Sequence, residues 1–419
     1  MVEIIEQLDT REIEQAYGGG GSPPYPPKMM LALLFYCYAK GLFSTRKIEQ
    51  ATYEQIPVLF ITGGTHPDHD SINTFRKRFL AELSDLFVKL LQIAHGMGVL
   101  KLGGISMDGT KIKANASKHK AMSWEYACKL EAQLRSEVEE LIRRAESESG
   151  QGQQDINIPA ELQRREIRLA KIAEVKAELE RRAAERFAQE QAEYQAKLKE
   201  REEKEQKRGR KLGGKAPKAP EPGVQSKDQA NFTDGDSRIM PTANGFEQAY
   251  NAQASVDIGT MLIVGQHLSQ NPNDKQEVAP ALAELSRLPD ELGSITKAAT
   301  DSGYFSKENI QKFEAAGIEP YIPKGRQHHN PTLEERFAQA PEAPKNADSV
   351  GKMAHRMKTE AGKNFYAQRK STVEPVFGII KEVMGFRRFM LRGLDAVQGE
   401  WTLVCMAFNL KRLCVLRFV

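Results

Sequence analysis

Apolar positions change their period several times along this 419-residue chain, and each change marks a change of element. The run "MMLALLFYCYA", Met29–Ala39, is apolar on every side but too short to cross a bilayer, so it predicts a buried helix. Pro27 suits the first turn of that helix, and Gly41 marks its stop. Ser44 can cap a second short helix over "TRKIEQATYEQ". A longer helical pattern opens at Asp70–Ser71 and runs through "FLAELSDLFVKLLQIAHGMG" to its glycines. Helix, glycine turn and capped helix follow the order of a helix-turn-helix, and residues 1–99 read as an all-α domain for DNA. Before it, "GGGGSPPYPP" reads as a linker.

The period falls to two in "KLGGISMDGTKIKANAS", residues 101–117. Ile105 and Met107 lead to Asp108 and Gly109, and a further extended piece carries Ile112 and Ala114. Helical spacing then returns at Ala127, Leu130, Leu134, Val138 and Leu141. After the polar "SESGQGQQDINIP" it resumes at Ile172, Val175, Leu179, Ala183 and Phe187. This predicts an antiparallel coiled-coil hairpin, closed by the breaker run "RGRKLGGKAPKAPEPG". Beyond Phe232, "GFEQAYNAQASVD" (245–257) and "MLIVGQHLSQ" (261–270) predict a strand hairpin, and "NDKQEVAPALAELSRL" (273–288) a helix. A strand from Ile295 to Thr300 ends in Asp301. The helix "KENIQKFEAAG" and the short strand "IEPYIP" (318–323) follow. The expected architecture is α/β: a mixed sheet flanked by helices over 100–117 and 230–419, interrupted by a helical insertion over 118–229.

Charge adds a partner class. Net charge is only +4, but from Val350 to Val419 there are 13 Lys or Arg against five Asp or Glu, which suits a polyanion. The stretch 118–215 holds 23 basic and 20 acidic residues. That near balance fits an arm for dimerisation or DNA, or a solvated insertion. Arg46, Lys47, Arg76, Lys77 and Arg78 supply phosphate-seeking charge to the N-terminal helices. The four cysteines form no CxxC pair, which argues against a zinc ribbon or disulfide scaffold and fits a reducing cytosol. The polar start "MVEIIEQLDTREIEQ" is unlike a signal peptide, so no membrane is expected. There is no GxxxxGK[ST] loop, so no nucleotide cofactor is expected either. "HPDHD" reads as a loop with an Asp cap rather than a metal site, and "RQHHNPT", with His328 and His329, as a loop.

Candidate chemistry starts from Asp108 and Asp301, each at or just past a strand. If their strands are neighbours, the two carboxylates converge, and such a pair can hold Mg²⁺. A third acid, Glu374, lies in "QRKSTVEPVFGIIKEVMGFRRF". Val373, Val376, Phe377 and Ile380 form an apolar helical stripe there, and Pro375 places Glu374 at the helix start. Lys381 lies seven residues on, on the same side.

These residues carry a resemblance. "SMDGTKIKANAS", "NFTDGDSRIM…NGFEQAYNAQASVD", "ATDSGYFSKENI" and "RKSTVEPVFGIIK" resemble insertion-sequence DDE transposases, in particular the subgroup numbered eleven eighty-two. "PPYPPKMMLALLFYCYAKGLFSTRKIEQ" and "PDHDSINTFRKRF" resemble that subgroup's helical N-terminal domain, and the likeness spans residues 20–415. It implies a ribonuclease-H-like core in which Asp108, Asp301 and Glu374 bind two Mg²⁺ or Mn²⁺ ions. Asp108 would bridge the ions, and the other two acids would hold one each. Relatives carry a Y-x2-R-x3-E-x6-K pattern. Glu374 and Lys381 fit its second half, whereas Arg369 stands five before Glu374, with Lys370 in the expected arginine place and Tyr366 correctly spaced from Arg369. Lys381, Arg369, Lys370, Arg387 and Arg388 would neutralise phosphates, and Tyr304 would either contact DNA near the cut or pack in the core.

The implied activity is metal-dependent cleavage of double-stranded DNA at the element's ends, followed by strand transfer into target DNA. A homodimer would act in the bacterial cytoplasm, at the nucleoid. Two alternatives share these residues: a metal nuclease without strand transfer, and an inactive or domesticated DNA-binding descendant of a transposase.

Overall fold

The computed structural model describes residues 1–16, 25–147, 157–210, 213–242, 245–325 and 347–416. Contacts divide them into two compact units. One comprises residues 1–115 with 238–419, and the other residues 116–237. The linker glycines, the tip of the predicted hairpin and "RQHHNPT" lie outside the described residues.

In the larger unit the N-terminal helices are α1 (Val2–Glu6), α2 (Arg11–Gln15), α3 (Pro27–Ala39), α4 (Thr45–Glu54), α5 (Ile56–Thr62), α6 (His69–Arg78) and α7 (Leu83–Gly96). Helix α3 keeps the bounds its sequence implies, and Gly41 follows it with φ of 83°. A β-carbon on Gly41 would stand 2.7 Å from the Met384 carbonyl oxygen, so the chain there needs glycine on both counts. The single long helix expected from Asp70 onward is two, because the chain leaves helical geometry between Arg78 and Leu83. Asp68 caps the first of them through the amides of Asp70 and Ser71. Helices α1 and α2 were not legible as elements, yet Ile4, Ile5, Leu8 and Ile13 are fully buried.

The sheet follows. Strand β1 (Gly104–Lys113) is one continuous ten-residue strand, so Asp108 lies within it and not at its end. The smaller unit interrupts the chain after β1. It holds β2 (Ala121–Ser123), helix α8 (Trp124–Ser147), helix α9 (Ile158–Arg208) and β3 (Gln229–Asn231), with β2 and β3 paired as a ribbon. Ala127, Leu130 and Leu134 pack with Ile172, Val175 and Leu179 along the seam, which is the hairpin the spacing predicts. Ion pairs cross that seam, Arg165 to Glu137 and Lys176 to Glu131, each at 2.8 Å.

Back in the larger unit come β4 (Arg238–Thr242), β5 (Gly245–Asp257), β6 (Ile263–Ser269), α10 (Val278–Leu285), β7 (Lys297–Ala299), α11 (Lys307–Ala315) and β8 (Glu319–Tyr321). Strand β5 pairs antiparallel with β1 and with both β4 and β6. Strand β7 lies parallel between β1 and β8. An antiparallel meander, β6-β5-β1, extended by two parallel strands, β7-β8, is a ribonuclease-H-like sheet. The remaining helices are α12 (Ser349–Arg356), α13 (Glu360–Ala367), α14 (Val373–Gly378) and α15 (Leu394–Leu416). Helix α14 packs on β1 and β5 and passes into a π-helical turn, Ile379–Val383. Helix α15 is buried on nearly every side, because it lies between β6 and the N-terminal helices α3 and α7.

Candidate active site

Register decides whether the two aspartates can meet. In the parallel pair β1/β7, Ile105 stands opposite Ala298 and Ser106 opposite Ala299. Asp108 lies two residues beyond Ser106 and Asp301 two beyond Ala299, so both carboxylates leave neighbouring chains at the same level. Asp301 caps a single 3₁₀ turn, Ser302–Tyr304, by accepting the Gly303 amide at 2.8 Å. A β-carbon at Gly303 would stand 2.9 Å from the Asp301 carboxylate and would displace it. The close neighbour is thus the acid itself.

Glu374 arrives from the first turn of α14, as Pro375 requires. Arg369, in the 3₁₀ turn Gln368–Ser371 just before it, joins the acids. Its Nη2 donates to Asp108 Oδ2 at 2.6 Å and its Nη1 to Glu374 Oε1 at 2.8 Å. Asp108 Oδ1 accepts its neighbour's amide, Gly109 N, at 2.8 Å. Asp108 is raised to about 6, and burial is the largest cause. The Arg369 charge pulls it down, while Asp301 pushes it further up. Arg369 itself is lowered by burial but raised by more through Asp108, Tyr366, Asp301 and Glu374. Burial also raises Tyr366, with Arg369 opposing and the three acids adding to the shift.

Carboxylate oxygens in this number are the ligands a hard divalent cation takes. Arg369 already holds a positive charge between two of the acids. Among the described residues, no three His, Cys, Asp or Glu side chains stand close enough together to hold an ion as they are. The donor set fits such a cation in kind, and a guanidinium stands between its members.

The family model "Transposase DDE domain" matches residues 216–410, and "Transposase domain (DUF772)" matches residues 1–78, together more than half of the chain. The chain belongs to the DDE transposases. No curated protein and no solved structure matches it. The matches give the family and do not reach the subgroup.

The transposase places the other expected residues unevenly. Lys381, in the π-helical turn, donates to Thr110 Oγ1 and to the Lys111 carbonyl at 3.2 Å. Thr110 shares a face of β1 with Asp108, so Lys381 stands beside the acids without touching Glu374. Burial lowers its affinity for a proton. Lys370 and Arg388 are exposed, and so is Arg387, which pairs with Glu382. Arg46 and Lys47 are exposed on α4. One expectation needs correction, and one open alternative closes. Arg76 is 6% exposed and donates to Tyr38 Oη, the Phe43 carbonyl and Asn73, so it holds the N-terminal helices together and no phosphate can reach it. Tyr304 is wholly buried with its hydroxyl on Gln253, so it packs in the core and cannot stack on DNA. In "HPDHD", His66 stacks on Tyr53 and His69 pairs with Glu49 at 2.8 Å, the loop reading.

Sequence reasoning missed a polar cradle on the opposite face of β1. Asp274 Oδ1 accepts from Lys111 at 3.2 Å, Asn251 at 2.7 Å and Gln253 at 2.8 Å. Asp274 also adds to the upward push on Asp108. Gly109 makes room for the cradle, since a β-carbon there would fall 2.0 Å from Gln253 Nε2. The signal was available: Asn251, Gln253 and Ser255 alternate as buried polar residues in an inner strand, where apolar ones are the rule.

Proposed function

We propose that Asp108, Asp301 and Glu374 are the metal-binding acids with which this transposase cuts DNA at element ends and joins them to a target. Mg²⁺ or Mn²⁺, two ions, would be held by these carboxylates. When bound, the ions would supply an activated water for hydrolysis and charge for the departing 3′ oxygen. The chain's own residues do the rest. Lys381, half-buried beside Thr110, meets the scissile phosphate. The exposed Lys370, Arg387 and Arg388 track the strand, and Arg46 and Lys47 grip flanking duplex. A homodimer pairs two DNA ends, and the protein works at the bacterial nucleoid.

The observation that carries this reading is the shared level of Asp108 and Asp301 on adjacent parallel chains, with Glu374 drawn to Asp108 through Arg369. The test is Mg²⁺-dependent nicking of labelled DNA that carries the element's ends, comparing wild type with Asp301→Asn. Nicking that disappears in the variant supports the acid triad. Nicking that survives the substitution removes Asp301 from it, and DNA binding without cleavage by either protein points to an inactive descendant.

A further inference from the structure

We infer that Arg369 is a built-in counter-ion of the acid cluster, and that a divalent cation is admitted only when its guanidinium leaves. The inference rests on the metal-site reading above. One planar fork donates to Asp108 Oδ2 on β1 and to Glu374 Oε1 on α14, at 2.6 and 2.8 Å. The Arg369 side chain is 12% exposed, so it is seated between the acids and not draped over them. A cation shared by Asp108 and Glu374 needs those same oxygens, and two positive charges cannot occupy the gap together. This accounts for the absence, among the described residues, of a ready group of three ligating side chains beside acids that converge.

Departure is open to Arg369 for two reasons. Its backbone lies in a four-residue 3₁₀ turn between α13 and α14, so the side chain can withdraw without unwinding either helix. Glu374 is 48% exposed, so the outer end of the bridge already meets solvent. A freed guanidinium is suited to a phosphate, the group that arrives with DNA, because its fork matches two phosphate oxygens. Metal-free protein thus keeps its acids from repelling one another, and the cation replaces an internal charge when it enters.

The test is Mn²⁺ binding to the full chain without DNA, read from the electron paramagnetic resonance signal of free Mn²⁺. Arg369→Gln should bind Mn²⁺ about tenfold more tightly than wild type, the size expected when a close like charge is removed. Arg369→Lys keeps the charge but cannot fork, so it should fall between. If the Gln variant melts below the assay temperature, a gain in Arg369→Lys alone still supports the inference. Lys370→Gln removes the same charge from an exposed neighbour and should change affinity little. Unchanged or weaker binding in both Arg369 variants, or an equal gain in Lys370→Gln, overturns the counter-ion. Asp108→Asn and Glu374→Gln keep the two questions apart. Mn²⁺ binding that survives both overturns the metal site itself, whereas binding lost in both, with no gain at Arg369, overturns the counter-ion alone.

Discussion

Arg76 is buried and Arg369 largely so, both are close to carboxylates, and both leave Nε without a partner. Their surroundings nevertheless differ in kind. Arg76 spends its other nitrogens on a tyrosine hydroxyl, a main-chain carbonyl and an asparagine. The nearby Glu400 is saturated, with one oxygen on Tyr38 Oη and the other on the amides of Met390 and Leu391, all at 2.9 Å. Arg369 instead donates straight to two carboxylates, one of them half in solvent. Burial of a charge therefore does not mark a site. A closed network fastens helix α15 to the N-terminal helices, while a bridge between acids that solvent can reach leaves room for exchange.

The largest expected effect falls on the open network. Asp108→Asn should lower DNA cleavage by about a hundredfold or more, as loss of a transition-state charge partner does. Its melting temperature should not fall. Burial outweighs Arg369 and already disfavours the charged form of this acid in the fold. Gel assays and thermal melts on one preparation check both halves. A variant that unfolds before it loses cleavage would make Asp108 structural, like Glu400.

Next in size is the closed network. Arg76→Met should cost about 3 kcal/mol by urea denaturation, because it strips a buried polar network of its cation. Arg369→Gln should cost less than half as much. Equal losses would erase the distinction between the two arginines.

Gly109→Ala comes third, at about 2 kcal/mol, since the added carbon must push Gln253, Asp274 and Asn251 apart. The same urea series measures it, and cleavage should fall along with stability.

The smallest effect is one of pH. Burial alone would raise Glu277, but hydrogen bonds from His267, Asn271 and Ser269 outweigh it and hold the carboxyl below its ordinary value. Its stabilising share is complete above the unfolded-state value of 4.5 and fades as pH falls through the lower folded-state value. Wild type and Glu277→Gln should therefore differ most in melting temperature near neutrality and converge in acid. A constant gap would show that the carboxylate's charge plays no part.

Much of this molecule is legible along the chain because period reports burial. The bounds of α3 follow from Pro27 and Gly41, the α8–α9 seam and β5 follow from apolar spacing, and the relation of Asp108 to Asp301 follows once two short apolar runs are read as neighbouring strands. What spacing cannot show is which polar side chains turn inward. Arg76 stands in "RKR" beside exposed Lys77, and its helix face places it against Tyr38. Tyr304 stands three residues past Asp301 and still points into the core. Arg369 and Lys370 look interchangeable in "QRK", and only the fold at the start of α14 aims the first at both acids. Asp274 was hidden by distance: its partners on β1 and β5 lie 163 and 23 residues away.

The central claim is that the three carboxylates form one cation site, and Mn²⁺ located crystallographically by its anomalous scattering tests it most directly. The account predicts a peak bounded by Asp108, Asp301 and Glu374, with the Arg369 guanidinium withdrawn from between them. A peak held by other residues, or an Arg369 that keeps both carboxylates while Mn²⁺ is bound elsewhere, would contradict it.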